Sequence, residues 1–464
     1  MKYMKGKYLY GLLPLLGIVF CLWYIFTATC DGIYSDYIRL VNSYLPDVWN
    51  PTKFFVPDIL TRIPVNYLGR ILNITFFGFN IMFDRVLGVL ALGLSGLALG
   101  CYCLRRRVSL VWFGILTAVL FSLNKWEMLT NGSGWAHFLS FACFYYHYEV
   151  MDRVWSGQEK RHDKAKLILL PFFTTLLVAG PYCAIYSVTL LFACGLMFLL
   201  KKDASGRQWA GYGLCTLTSL LLYLWSNSYG VEDHAAPATV PLLVQLRDTP
   251  GFFVRFFIKS FSSMVIGGEQ AEKIFRTNVP YMVLGFLVIL LYLLALWINL
   301  RYRLYEKTVL PVILIVSGGL NHVLILLSRW IFLQENYGLS SRYALQFQSG
   351  ILGILLTFAL ISKHKERKRN AFLPVAACMA CVLFLAGNGY TTYTEIKKAP
   401  NRRDSFERMA DLALSFETAT DDELRAGFEY RSSRPDSGEK VRSALTILKE
   451  NGYSVFRNDY KQED

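Results

Sequence analysis

Apolar residues in this chain fall into blocks of about 15 to 25, separated by short polar stretches. An α-helix rises about 1.5 Å per residue, so blocks of that length match a hydrocarbon core of about 30 Å. Eleven helices are expected, at about 8–27, 77–103, 108–123, 133–150, 167–179, 182–200, 208–226, 279–300, 308–333, 345–362 and 371–387. The fifth block is short, and Gly180-Pro181 marks only a weak boundary after it. No ten-residue segments alternate in the manner of a transmembrane barrel. The pattern therefore predicts an all-α polytopic membrane protein with about 11 transmembrane helices in residues 1–387.

The connections differ in character. The first, about 28–76, is broken by Pro46, Pro51, Pro57 and Pro64, and reads as one or two helices lying in the membrane interface. The long one, about 227–278, contains 252–265, where Phe, Ile and Met recur at helical spacing around Arg255 and Lys259. That also suits an interfacial helix. Residues 388–464 are polar and mixed in charge. There the pattern predicts a helix from Ser437 to Glu450, stopped by Asn451-Gly452, and a short strand at 453–456. The tail is thus expected to be a small α/β appendage.

Composition agrees: 54% of the 464 residues are hydrophobic and 18% charged. The net charge of +14 looks at first like a nucleic-acid signal. Its placement says otherwise. The six connections on the N-terminal side of the bundle, including Arg105-Arg106-Arg107, Lys201-Lys202 and Lys363 to Arg369, carry 22 basic residues against six acids. Such a bias puts the N-terminus in the cytoplasm, and an odd number of spans puts the C-terminus outside. Of the ten cysteines, Cys378 and Cys381 have a Cys-x-x-Cys spacing but sit in an apolar helix without histidines or further cysteines, and only Cys30 lies near the outer surface. No phosphate-binding glycine loop, zinc motif or nucleophile elbow is present.

The candidate chemistry is in the outer connections. Asp31 follows the first span directly. A carboxylate at the membrane edge is partly desolvated, hence more basic, and suits a general base. Asp36 is a second acid, but it lies three residues before Arg39 and shares its helical face, which gives it a structural role. Asp31 is therefore the favoured base. Between the third and fourth spans lie Glu127, Asn131 and His137. Before the tenth, Ser340-Ser341-Arg342-Tyr343 offers a cation and hydroxyl donors to an anionic phosphate. Arg329, inside the end of the ninth span, needs a partner or water. His322 and Asn321 form a mid-span polar pair.

This layout resembles the GT-C class of membrane glycosyltransferases. An aspartate just after the first span (Asp31, with Asp36 as second candidate), outer loops with interfacial helices and a basic residue in Ser340–Tyr343 carry the likeness. The stretches 126–134, 340–343 and 441–456 are also similar to bacterial polysaccharide-locus proteins. The resemblance implies sugar transfer at the outer leaflet of the plasma membrane, from a polyprenyl-phosphate sugar to a cell-envelope glycan, lipid or protein. Asp31 would serve as base in an inverting displacement. Arg342, with Arg329 or Arg39, would hold the phosphate. A divalent metal stays an open option and no other cofactor is implied. The Asp-Gly-Ile-Tyr-Ser-Asp run departs from the Asp-Glu pairs of better-known members. Two rival readings are a transporter or flippase of lipid-linked glycan, and a non-catalytic partner in polysaccharide assembly.

Overall fold

The computed structural model describes residues 6–55, 62–201, 204–227, 238–363, 372–428, 430, 436–458 and 460. Lys2, Lys5, Pro57, Lys202, Asp203, Lys365, Glu366, Arg367, Lys368 and Arg369 lie outside them. Among the described residues every regular element is helical.

The first span is α1 (Leu9–Ala28). The connection after it holds α2 (Asp36–Tyr44) and α3 (Pro64–Phe77), followed by α4 (Ile81–Arg105). Next come α5 (Leu110–Leu120), the single turn α6 (Trp126–Thr130), α7 (Trp135–Trp155) and α8 (Asp163–Phe173), which ends in a π-helical turn at Thr174–Val178. Then follow α9 (Cys183–Leu200) and α10 (Ala204–Ser226). The long connection folds into α11 (Leu242–Asp248), α12 (Pro250–Ser262) and α13 (Gly268–Ile274). The rest of the bundle is α14 (Asn278–Arg301), α15 (Leu310–Arg329), α16 (Ala344–Ile361) and α17 (Phe372–Leu414), with α18 (Asp421–Gly427) and α19 (Ser437–Asn451) behind it.

Seven of these segments are long and apolar enough to cross a membrane: α1, α4, Gly180–Leu200, α14, Leu310–Phe332, Ser341–Ile361 and α17. The other expected blocks are helical too. However, α5 and α8 have eleven residues each, about 16 Å, which is short of a hydrocarbon core. In the apolar 18-residue stretch of Ser341–Ile361, 94% of residues are buried, against 28% in that of α1, so α16 is central in the bundle and α1 lies at its edge. Close packing there depends on missing side chains. A Cβ on Gly100 would stand 2.5 Å from the Tyr10 carbonyl oxygen, so α1 and α4 can approach backbone to backbone.

One end of the bundle is locked by Asp152, which has no exposed surface. It accepts from Arg105 and Arg106 at 2.7 Å each, from the Thr308 hydroxyl at 2.6 Å and from the Val309 amide at 2.7 Å. Beside it, Arg153 grips Asp163 through two bonds of 2.7 and 2.8 Å. His322, in the middle of α15, is sandwiched between the rings of Phe261 and Phe347 at centroid distances of 3.7 and 3.8 Å, and meets the Ser260 hydroxyl at 2.8 Å. It is a packed core histidine.

The tail keeps one expected feature and departs in another. The stop at Gly452 holds, with φ at 63°. The expected strand at 453–456 is instead a 3-10 turn, Ser454–Phe456. A lone strand would have left its amides unpaired, whereas here the Ser454 amide donates to the Gly78 carbonyl at 3.0 Å. The expected boundary at 387/388 falls inside α17, whose 43 residues run about 65 Å, past any bilayer core. Beyond it, α19 packs onto α2. Ile33, Tyr37, Ile38 and Val41 share one apolar core with Phe406, Leu424, Val441 and Leu445.

Candidate functional site

At the end of the bundle opposite Asp152, four segments converge: α2, the 123–137 connection, the end of α15 and the 340–343 turn. The turn starts on Ser340, whose hydroxyl caps the Arg342 amide. This sends the Arg342 side chain toward α6, where its Nε donates to Glu127 Oε1. Glu127 Oε2 also takes the Ser341 hydroxyl at 2.9 Å, with Ser340 at 3.4 Å. Glu127 is therefore saturated, while the Arg342 side chain is still 40% exposed and open to a further partner.

Asp36 opens α2. Its single hydrogen-bond donor among the described residues is the Asn131 amide, 3.3 Å from Oδ2. Its charge acts on Arg39, His137 and Arg342. Burial draws the Arg39 guanidinium below its ordinary value, opposed by Asp36. His137 packs edge-on to Tyr182, ring centroids 5.2 Å apart, and its Nδ1 is buried without a hydrogen-bond partner among the described residues. Arg329 lies 5.9 Å over the Tyr343 ring, and its Nε is likewise buried and unpartnered. Asp36, Arg39, Glu127, Asn131, His137 and Arg342 thus form one electrostatic group, with Tyr343 and Arg329 beside it.

Asp31 is placed differently. Its Oδ1 accepts the Ile81 amide at 2.7 Å, capping α4, and its Oδ2 pairs with Arg457 Nη1 at 2.5 Å. The side chains of that pair are 4% and 8% exposed. Burial pushes the Asp31 carboxyl above its usual range, against the pull of Arg457 and of the Ile81 amide. Both oxygens are committed to the fold, which leaves Asp36 as the accessible, lightly bonded carboxylate. The adjacent Asp84 and Arg85 are not paired with each other. Asp84 takes the Tyr37 hydroxyl at 2.7 Å, and Arg85 holds the Thr130 and Cys30 carbonyls at 2.7 and 2.6 Å.

Among the described residues no group of three His, Cys, Asp or Glu side chains is arranged for a metal. The two nearest acids do not fit one either. Glu127 is filled by an arginine and two serines, and Asp36 faces the charge of that same arginine. Arg457 escaped the sequence reading. Arg457 lies 426 residues from Asp31, and no local pattern marks such a contact. Arg85 did carry a signal, a charge in the first turns of an apolar helix. The chain finds no match among family models, curated proteins or solved structures.

Proposed function

We propose that this chain is a membrane glycosyltransferase of GT-C type, with eleven spans, a cytoplasmic N-terminus and the Asp36 end facing outward. The single observation that carries the reading is the group at that end. A lightly bonded carboxylate, Asp36, sits within the charge range of an arginine that keeps 40% of its side chain exposed. Base and phosphate grip are what transfer from a lipid-phosphate sugar requires.

Asp36 takes the proton from an acceptor hydroxyl. The freed oxygen forms a bond to the anomeric carbon as the bond from that carbon to the phosphate oxygen breaks. The departing polyprenyl phosphate carries the electron pair and is neutralised by Arg342 and Arg329. Attack opposite the leaving group inverts the anomeric centre. Asp31 acts as a cap and ion-pair partner in this scheme.

The phosphate grip is tested by titrating a polyprenyl monophosphate into detergent-purified protein and following thermal stabilisation. Arg342→Gln and Arg329→Gln are each expected to weaken binding by about tenfold. Unchanged binding in both variants would contradict the assignment.

A further inference from the structure

The tail meets the first connection where the backbone is under stress. Ser35, immediately before Asp36, has φ at 49°, in the left-handed region that a residue with a Cβ avoids. Such a conformation persists only where surrounding contacts over-determine it. The contact on Ser35 comes from the tail: its amide donates to the Phe428 carbonyl at 3.0 Å. Four further bonds tie the same two parts together. The Asn42 amide reaches the Lys440 carbonyl at 2.8 Å, and the Ser454 amide reaches that of Gly78 at 3.0 Å. Arg457 pairs with the Asp31 carboxylate, and the Tyr460 hydroxyl donates to the Asp31 carbonyl at 3.0 Å. The ring of Phe406 lies 4.8 Å beneath the Arg85 guanidinium, the group that fixes the Cys30 and Thr130 carbonyls.

We propose that the C-terminal segment is a brace for the catalytic loop, and that Arg457 is a positioning residue which acts through Asp31 to hold residues 31–36 and so aim Asp36 at the acceptor. Asp31 is the point where three parts meet. One oxygen fixes the start of α4, the other takes the tail, and Asp36 follows five residues later. Releasing the Arg457 end frees the loop on one side only. Ser35 can then relax out of its left-handed conformation, and Asp36 loses its register against Asn131. The shared apolar core keeps the tail attached throughout, so the effect is one of aim.

The inference rests on the transferase reading, so its test includes a readout independent of turnover. Cys30 lies beside Asp31 and is half-buried, and burial holds its thiol up at about 11. It reports loop opening through its rate of alkylation by a maleimide, read by mass spectrometry on the full chain in detergent. In Arg457→Ala, Cys30 alkylation is expected to rise about tenfold. The kcat for sugar transfer is expected to fall by about tenfold or more, with donor KM within about twofold of wild type. Tyr460→Phe, which removes one hydrogen bond, should move both readouts the same way by a smaller factor. Arg457→Lys should restore part of each. If Arg457→Ala does not fold, the Lys and Phe variants carry the comparison. Unchanged alkylation and kcat in the folded variants would overturn the brace, and so would loss of turnover with Cys30 still protected. If wild type transfers no sugar, the transferase reading fails, while the alkylation series still decides whether the tail holds the loop.

Discussion

Asp36→Asn is expected to lower sugar transfer by about 10²–10⁴-fold, the usual contribution of a positioned general base, with the melting temperature unchanged. The substitution is nearly isosteric. The Asn131 amide can still donate to the new side-chain oxygen, and Arg342 keeps Glu127 as its partner. What disappears is the capacity to take a proton. Asp31→Asn should behave in the opposite way. The Ile81 amide keeps an acceptor, but the buried Arg457 loses the Asp31 charge it is paired with. Breaking such a pair costs about 3–5 kcal/mol, so this variant should show a lowered melting temperature first. Turnover and thermal melting measured side by side on the two variants separate the roles. If Asp36→Asn retains wild-type turnover, Asp36 is not the base.

The second large effect is expected at the other end of the bundle. Asp152→Ala strips two arginines, the Thr308 hydroxyl and the first amides of α15 of a shared acceptor in a site with no exposure. A loss of about 3–5 kcal/mol, against a typical total stability of about 5–15 kcal/mol, should remove most of the folded protein. The measurement is the yield of monodisperse protein on gel filtration. Wild-type yield and melting would show that the network contributes little. Asp152 lies near the C-terminal end of α7 and the proposed site at its N-terminal end, so any surviving protein should keep its turnover.

Much of the helical fold was legible because apolar blocks and loop charges are local signals. Every expected block contains a helix, and Gly452 ends the last one where the sequence said it would. Seven of those helices meet the length and hydropathy of a span, while α5 and α8 are too short for length alone to settle their depth. The tail was harder to read. Its Tyr453–Phe456 stretch has strand-like composition, but strand formation needs a partner, and the available one was the Gly78 carbonyl. The ranking of the carboxylates turned on the same kind of information. Asp31 stands where the chain leaves the first span, and position alone favoured it. Its two partners, Ile81 and Arg457, lie 50 and 426 residues away. Asp36, set aside for its spacing to Arg39, turns out to face Asn131, 95 residues on. Helical spacing identified the neighbour on its own helix and carried no information about the partner across the gap.

The proposed chemistry is tested most directly in sealed liposomes containing the purified chain, a polyprenyl-phosphate donor with a labelled sugar, and an acceptor hydroxyl on the outside. Label is followed separately as sugar bonded to the acceptor, as free polyprenyl phosphate, and as intact donor moved between leaflets. The expected result is acceptor labelling matched mole for mole by polyprenyl phosphate release, present in wild type and absent in Asp36→Asn. Movement of intact donor between leaflets without any new glycosidic bond would contradict it.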